Sequence, residues 1–250
     1  MESELNKKDI QRVEFEMLSE LDQVCRENNL IYSLAYGTVL GAIRHKGFIP
    51  WDDDIDIMIE IDNYQRFCDI LQRKLPQKYF VYSYETNPNY EYLFARIGLR
   101  DFRHHQIHID IFPMVGLPKS AYGRKVFSKL AYLTYRCYFI KMVNANTNYC
   151  KDPMKKRKVL LLKALLFLFP SRLFIYVYER LKNTFPISRS SYIYNFCGLY
   201  KYKEIISNLY MRDLVTMDFE GQKFPVPNDW DKYLTHMYGD YMTPKKTNYV

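Results

Sequence analysis

The chain has 250 residues, of which 48% are apolar and 26% are charged, a balance that is typical of a globular protein and excludes a disordered or low-complexity class. Its formal net charge of +8 favours anionic partners, without choosing among nucleotides, phosphorylated glycans and acidic lipid surfaces. The five cysteines are scattered with no Cys-x-x-Cys pair, which argues against a structural zinc site and a disulfide framework.

The first elements are predicted from apolar spacing. The N-terminal residues, MESELNKKDI, lack the apolar core of a signal peptide, and we therefore expect a cytoplasmic protein. Apolar residues at steps of three and four over residues 10–24 predict an amphipathic helix. The apolar run over residues 30–35 predicts a first buried strand. Thr38 is then expected to cap a short helix that ends at Gly47.

A basic cluster leaves this short helix. Arg44, His45 and Lys46 are adjacent, and such a cluster is usually a solvated surface. Here an acidic strand and a glycine turn lie close by in the sequence, which makes contact with a substrate phosphate an equally strong interpretation. We therefore name all three as candidate substrate-binding residues.

The acidic run over residues 52–56 leads directly into a strand. Because successive strand side chains point to opposite faces, Asp54 and Asp56 share one face, and the isoleucines around them face the core. Two adjacent carboxylates on a rigid strand form an oxygen site suited to Mg²⁺ or Mn²⁺. The turn at Gly37 and Thr38 opens a helix, where free N–H groups hold phosphate. Together they predict metal-dependent phosphoryl transfer.

A second strand repeats the acidic pattern. A helix over residues 61–75 and strands over 79–84 and 93–99 are predicted before it, and the strand itself covers 106–112 and is closed by Pro113. Asp110 lies between two isoleucines, as Asp56 does, and we expect it on the same polar face. There Asp110 is expected to complete a carboxylate triad with Asp54 and Asp56, the number of carboxylates that two-metal phosphoryl transfer needs.

Basic side chains near this strand are further candidates. His108 shares the face of Asp110 by its two-residue spacing and is a candidate substrate-binding residue, whereas His104 and His105 are expected in a solvated loop. Arg96, on the preceding strand, has two interpretations. Its guanidinium either clamps a phosphate or forms a structural ion pair with one of the aspartates.

Residues 121–180 read as helical and apolar. The segment over 159–169, VLLLKALLFLF, follows four basic residues at 155–158. It is too short and too interrupted to cross a bilayer, which takes roughly 20 apolar residues. We favour a helical subdomain in which apolar faces pack together. Shallow contact of a basic apolar helix with a membrane is the alternative.

The end of the chain predicts a hairpin and a helix. Strands over residues 211–217 and 223–226 are expected to flank a turn at Glu220 and Gly221, and a helix is expected from Asn228 to Tyr238. Residues 189–202 are aromatic and have no clear pattern.

These motifs resemble the LicD family, a branch of the nucleotidyltransferase-fold superfamily. The resemblance spans most of the chain, and residues 121–202 match only in helical character. One position departs from the wider superfamily, where a second small residue often stands in place of Tyr36. The matching stretches are Gly37-Thr38, Leu40-Gly41, Arg44-His45-Lys46-Gly47, residues 50–56, residues 109–113, residues 224–227 and residues 238–242.

The resemblance implies an α/β (α+β) fold with a nucleotidyltransferase-like mixed-sheet core and a helical appendage. The core is expected over residues 1–120, the helical subdomain over 121–202, and a C-terminal segment over 203–250 that packs back on the core. The implied reaction moves phosphocholine, or a related phospho-head group, from a CDP-linked donor such as CDP-choline to a sugar hydroxyl of a cell-surface glycan, releasing CMP. The implied partners are this donor and a glycan or lipid-linked glycan. A lipid-linked acceptor would give membrane contact a purpose. No nucleic-acid partner is implied.

Other functions stay open at this point. A nucleotidyltransferase would move a nucleoside monophosphate onto a small molecule and release pyrophosphate. A glycosyltransferase would use the Asp-x-Asp pair to hold a sugar nucleotide, although little chain precedes Asp54 to form its nucleotide-binding region. A non-catalytic binding module is disfavoured by the intact acidic triad. Nothing in the sequence identifies the head group.

Overall fold

A computed structural model describes residues 6–101, 107–146 and 150–244, and the predicted loop residues His104 and His105 lie outside these ranges. The helices are α1 (Lys7–Glu27), α2 (Tyr36–His45), α3 (Ile61–Lys74), α4 (Ala121–Met142), α5 (Pro153–Leu165), α6 (Ser171–Lys182), α7 (Leu209–Arg212) and α8 (Trp230–Tyr238). The strands are β1 (Ser33–Leu34), β2 (Ile55–Glu60), β3 (Tyr79–Tyr82), β4 (Ala95–Leu99), β5 (His108–Gly116), β6 (Tyr192–Asn195), β7 (Ile205–Ser207), β8 (Leu214–Phe219) and β9 (Gln222–Pro227).

The fold is a mixed α/β fold, as predicted, built around one curled sheet. Its strands follow the order β1-β2-β5-β4-β3, and β6 pairs with the far end of β5 and with β7. β2 and β5 run parallel and the other pairs run antiparallel. Strands β8 and β9 form a separate hairpin. The central position of β5 makes it the strand against which the polar residues of β2 and β4 are aligned.

Alternation along β2 and β5 sorts their side chains as expected. Ile55, Ile57, Ile109 and Ile111 are fully buried, in the same core cluster as the apolar face of α1. Burying an aliphatic side chain of this size stabilises the fold by about 1.5–3 kcal/mol. The isoleucine face therefore anchors both strands and leaves the aspartate face to form a site.

Strand β5 is longer than predicted, because Pro113 does not end it. The strand continues to Gly116. Its antiparallel neighbour is β4 up to Ile111 and β6 from Met114 onward, so Pro113 lies at the change of partner. A proline has no N–H to donate and is tolerated where no ladder bond is required. The prediction failed because the second neighbour, β6, is about 80 residues away in sequence.

The expected cap of α2 was also wrong. The helix begins at Tyr36 and is preceded by Ala35, which provides no side-chain cap. Thr38 lies inside the first turn, where its Oγ1 accepts a hydrogen bond from the N–H of Asp56 at 2.9 Å. At the far end, the left-handed residue is Lys46, with φ of 56°, and Gly47 follows it. The hydroxyl of Thr38 thus joins the helix to β2.

The C-terminal hairpin and helix are confirmed. β8 and β9 flank the turn at Glu220 and Gly221, and α8 ends at Tyr238, where it is followed by Gly239 with φ of 73°. Met211 lies in the short helix α7 rather than in the first strand. The unplaced segment contains β6, which joins the central sheet. The division of the chain into three segments stays a prediction.

Helix α5 corrects the favoured interpretation of the apolar segment. Val159 is the buried residue of this helix, and the expected packing of all its apolar faces does not occur. Apolar residues surround the helix, and contact with α4 can cover only one side. None of the helices in the described ranges combines the length and apolarity needed to cross a bilayer. The exposed apolar residues of this region are Leu160, Leu161, Leu162, Leu165, Phe167, Leu168 and Phe169.

Candidate active site

Strand register aligns an acidic and basic row across the sheet. Asp56 of β2 is the direct partner of Asp110 on β5, and Asp110 is the direct partner of Arg96 on β4. Together with Asp52 and Asp54, these three residues line a cavity of about 900 Å³. The structure therefore brings Asp54, Asp56 and Asp110 together, as the alternation predicted, and the chemical roles assigned to them stay predictions.

Arg96 forms an ion pair with Asp110. Its Nη2 donates to Oδ2 at 2.9 Å, and its Nε lies 2.5 Å from Oδ1. The guanidinium also lies over the ring of Tyr92, 4.0 Å from the centroid. Burial opposes the charge, but the Asp110 carboxylate outweighs it and raises the pKa of Arg96 above its ordinary value. The geometry favours the ion-pair interpretation of Arg96 and leaves its side chain at the cavity wall.

The remaining carboxyl groups crowd one another. Asp54 opens to solvent, yet dehydration by the surrounding protein and the negative charges of Asp52 and Asp110 raise its pKa to about 7. Dehydration, and after it the negative charges of Asp54 and Asp110, raise the pKa of Asp56 well above its ordinary value. Dehydration also raises the pKa of Asp52, whose carboxyl lies within hydrogen-bond reach of Asp54. Close carboxyl groups cannot all ionise without a cation or a proton among them.

The donor set of this cluster fits a divalent cation. Carboxylate oxygens are the ligands that Mg²⁺ prefers, and the raised pKa values of Asp54 and Asp56 are what a nearby cation would lower. Within the described ranges, no three His, Cys, Asp or Glu side chains already stand in a coordinating arrangement. Mg²⁺ does not require such a cage, because it is usually held by one or two carboxylates, waters and substrate phosphates.

The turn at the start of α2 lies against this cluster. A Cβ on Gly37 would lie 2.9 Å from Oδ2 of Asp52, so a larger residue would displace that carboxylate from its present position. Three amides of the turn already have partners: Tyr36 donates to the hydroxyl of Tyr233, and Thr38 and Val39 donate to Ala35. Phosphate binding by Gly37 thus depends on its own amide, since the hydroxyl of Thr38 is buried and occupied.

The three residues of the basic cluster lie in different environments. Arg44 lines the cavity, and its Nη1 donates to the carbonyl oxygen of Tyr241 at 2.6 Å. His45 accepts from Nε of Arg44 at 2.9 Å, and dehydration and this neighbouring charge lower its pKa. Lys46 is exposed, and its carbonyl accepts from the N–H of Glu220. Arg44 is therefore the member of the cluster that the structure brings to the site.

His108 lies beside Asp110, as its spacing predicted. Its ring Nε2 is 3.5 Å from Oδ1 of Asp110, and its backbone N–H donates to Oε1 of Glu14 at 3.2 Å. Glu14 is fully buried on α1, and burial raises its pKa to about 10. We did not single it out. The signal was there, because Glu14 falls on the apolar face of a helix whose other inward residues are hydrophobic.

Two further features of the site escaped the sequence analysis. Asp52 was not among the predicted site residues, yet it lines the cavity, whereas Asp53 pairs with Lys7 at 3.4 Å. The cavity also has an aromatic wall drawn from distant segments, which alternation within one strand cannot reveal. Its rings belong to Tyr36, Tyr92, Phe94, Phe112, Tyr135, Phe139, Tyr200 and Tyr238.

Comparison with known proteins identifies the family of this chain. A family model described as "LicD/FKTN/FKRP, nucleotidyltransferase domain" matches residues 29–159. The lipopolysaccharide cholinephosphotransferase LicD of Haemophilus influenzae is 29% identical over 240 residues, covering 90% of this chain and 87% of that protein. An uncharacterised protein of Rickettsia typhi is 39% identical over 57 residues, 23% of this chain and 18% of its own.

A solved structure was also matched. The crystal structure of ANT(2″)-Ia with adenylyl-2″-tobramycin overlaps 66% of this chain and 95% of its own, with 11% identity and a TM-score of 0.29. An overlap of that quality adds nothing to the assignment of the fold or of the site.

The raised pKa of Asp54 predicts a pH-dependent stability. The folded pKa is about 7 against an ordinary value of 3.8. Stability contributed by protonated Asp54 is complete below the unfolded pKa and is lost as the pH rises through about 7. In metal-free buffer, the unsubstituted protein should therefore lose this contribution between pH 4 and pH 7, whereas Asp54→Asn has no such contribution to lose. The free energy of unfolding of Asp54→Asn minus that of the unsubstituted protein should rise over this range. Urea titrations across this range measure it.

The control is Asp218→Asn, because Asp218 is an exposed residue of β8 that does not line the cavity. Its difference from the unsubstituted protein should change less with pH than that of Asp54→Asn. A constant difference for Asp54→Asn would contradict the crowding of charge described above.

Proposed function

Because this chain belongs to the LicD/FKTN/FKRP nucleotidyltransferase-domain family, we propose that it is an enzyme that transfers phosphocholine, or a related phospho-head group, to a glycan. The donor in this proposal is CDP-choline or a similar CDP-linked compound. The acceptor is a sugar hydroxyl of a cell-surface glycan such as lipopolysaccharide, and CMP is released. The name of the Haemophilus influenzae relative supports the head group and the acceptor.

The observation on which the proposal rests is the row Asp56–Asp110–Arg96 at one end of the cavity. Phosphoryl transfer requires positioning and stabilisation of charge more than covalent chemistry from the protein. Carboxylates beside a glycine turn would position the reactants, and Arg44 and Arg96 at the cavity wall would stabilise the negative charge.

In the proposed reaction, the acceptor oxygen attacks the phosphorus that bears the head group. A new P–O bond forms to the sugar, the P–O bond to the bridging oxygen breaks, and CMP leaves with that oxygen. Asp110 lies nearest the acceptor in this arrangement and orients its hydroxyl or takes its proton. Gly37 offers its amide to a phosphate oxygen, and His108 supports Asp110 from 3.5 Å.

Asp54, Asp56 and Asp110 would hold Mg²⁺ or Mn²⁺, with Asp52 beside them. When bound, such an ion would neutralise the donor phosphates and stabilise charge on the leaving oxygen. To hold such an ion, the protein needs carboxylate oxygen atoms on one face of the sheet. The register of β2 and β5 makes Asp56 and Asp110 direct partners, so their side chains lie on the same face.

The test of the function is a product assay. The protein is incubated with Mg²⁺, a glycan acceptor and a panel of CDP-linked donors, and the nucleotide products are separated. Release of CMP with modification of the acceptor supports head-group transfer. Release of pyrophosphate from a nucleoside triphosphate would identify a nucleotidyltransferase instead, and CDP or UDP release from a sugar nucleotide would identify a glycosyltransferase.

Asp54→Asn and Asp56→Asn should each abolish turnover while the fold survives. Loss of a metal-bound carboxylate removes several kcal/mol of transition-state stabilisation. A chelator of divalent cations should therefore abolish the turnover of the unsubstituted protein as well. Asp53→Asn is the control and should keep its activity, because its carboxylate pairs with Lys7 outside the cavity. Normal turnover of either variant at saturating Mg²⁺ would remove the metal assignment.

Asp110→Asn should reduce the rate far more than it reduces donor affinity. A positioned base contributes roughly 10²- to 10⁴-fold to the rate, whereas the donor's phosphates are held mainly by the residues of β2 and α2. Donor affinity by calorimetry and CMP release with acceptor present are measured on the same sample. A rate equal to that of the unsubstituted protein would make Asp110 a structural partner of Arg96.

A place at the inner face of the cell membrane is also part of the proposal. Phe167 is 78% exposed and Leu168 is 84% exposed, in the connection between α5 and α6. We call the exposed residues Leu160, Leu161, Leu165, Phe167 and Leu168 the apolar ridge. Basic residues at 155–158 lie on the same helix. An apolar surface with basic flanks matches an anionic bilayer, where a lipid-linked glycan would be presented.

Binding to vesicles tests this contact. The protein should float with phosphatidylglycerol vesicles at low salt and less at high salt, because exposed charges are screened. Leu168→Asp should reduce flotation, since it places a charge at the most exposed point of the apolar ridge. Ile31→Asp is the control, a substitution of an exposed isoleucine remote in sequence from the ridge. Equal flotation of the two variants would contradict docking by the ridge.

A further inference from the structure

A second acidic residue lies in the cavity apart from the carboxyl cluster. Glu204 is only 2% exposed, although it lines the cavity. Its Oε2 accepts from the hydroxyl of Tyr36 at 2.5 Å, and its Oε1 accepts from the N–H of Tyr200 at 3.0 Å. Asn195 donates to the same hydroxyl of Tyr36 at 2.7 Å. These contacts fix the position of the carboxyl group without neutralising it.

No basic side chain of the described ranges pairs with Glu204. Burial raises its pKa to about 7, and hydrogen bonds from Tyr36 and Tyr200 oppose that rise. Buried charges in proteins are usually paired. A fully enclosed carboxyl group at the edge of a substrate cavity is thus a place where a ligand can supply the missing positive charge.

Aromatic rings surround this carboxyl group. The centroids of Tyr36 and Tyr200 are 6.1 Å apart, and those of Tyr200 and Tyr238 are 6.4 Å apart with nearly perpendicular planes. All three rings line the cavity. Faces of several aromatic rings together with a carboxylate are the environment that binds quaternary ammonium groups, which attract π-electrons and form no hydrogen bonds.

The backbone at Tyr36 is strained in a way that places its ring there. Tyr36 has φ of 46°, in the left-handed region, which is unfavourable for a residue other than glycine. The hydroxyl of Tyr233 accepts its N–H at 3.1 Å and holds this conformation. A small residue would avoid the strain but would provide no ring, and strained residues of this kind concentrate at functional sites.

Tyr36 also precedes the turn that we assign to phosphate. In phosphocholine, two methylene groups separate the phosphate ester oxygen from the ammonium nitrogen. A phosphate at the amide of Gly37 would therefore place the head group near the ring of the preceding residue. The adjacency of Tyr36 and Gly37 matches the shortness of this link.

We propose that Tyr36, Tyr200, Tyr238 and Glu204 form a subsite for a quaternary ammonium group, which selects choline over uncharged head groups. This assignment rests on the proposed transfer of a phospho-head group at the same cavity. The aromatic rings bind the methyl groups, and the ammonium group supplies the positive charge that no basic side chain of the described ranges offers to Glu204. A polyol head group would leave that carboxylate unpaired.

A charged and an uncharged ligand of the same shape test the subsite. Phosphocholine and its neutral isostere 3,3-dimethylbutyl phosphate are titrated into the protein by calorimetry, with Mg²⁺ and CMP present. The unsubstituted protein should prefer phosphocholine by roughly tenfold or more, the size of one desolvated cation–π contact. Glu204→Gln and Tyr200→Leu should lose most of this preference.

Two control variants separate the subsite from general effects. Glu179→Gln alters another glutamate that accepts from a tyrosine hydroxyl, that of Tyr84 at 2.5 Å, outside the cavity lining. Tyr200→Phe keeps the ring and should keep the preference. Thermal unfolding of each variant excludes loss of the fold, and Tyr200→Leu is informative even if Glu204→Gln is unstable.

The outcomes distinguish the subsite from the function. If CDP-choline is turned over to CMP and both test variants still prefer phosphocholine as the unsubstituted protein does, the subsite is overturned and the transfer stands. If the unsubstituted protein shows no preference and turns over only donors with uncharged head groups, choline specificity and the subsite both fail. Loss of preference in Glu204→Gln and Tyr200→Leu, with both controls unchanged, supports the assignment.

Discussion

Repulsion among carboxylates is the constraint around which this structure is built. Asp52, Asp54, Asp56 and Asp110 face one cavity, and Arg96 is the basic partner paired with one of them. Such an arrangement opposes folding, and it persists because the other face of the same strands is buried isoleucine. The gain from the apolar face offsets the electrostatic cost of the polar face, so the two are inseparable products of one alternating sequence.

The C-terminal segment stabilises both sides of the acidic loop. Glu220 donates its N–H to Lys46 at 2.8 Å and accepts the N–H of Phe48 at 3.1 Å, which fixes the connection that leads to β2. Tyr233 fixes the start of α2 from the other side, and Tyr241 accepts from Arg44. These contacts join the C-terminal segment to both ends of α2 and to the connection that follows it.

Local pattern predicted the parts of the site that lie within one strand. The alternation at Asp56 and Asp110 was sufficient to place both on one polar face, and register then made them direct partners. The misses share a physical cause. The strand continues past Pro113 because it pairs with β6. The hydroxyl of Thr38 accepts a hydrogen bond from the N–H of Asp56 instead of capping its own helix. Glu204 lines the cavity although it lies about 90 residues after Asp110 in the sequence. Each depended on a partner distant in sequence, which spacing does not contain.

Tyr36 has a consequence for how the protein is made. Its strained amide finds its partner in Tyr233, and Arg44 finds its partner in Tyr241, each 197 positions later in the chain. During synthesis the acidic strands leave the ribosome well before Tyr233 and Tyr241, so the turn beside these strands cannot be locked until both tyrosines have emerged. A chain whose translation stops early thus lacks the contacts that lock the turn.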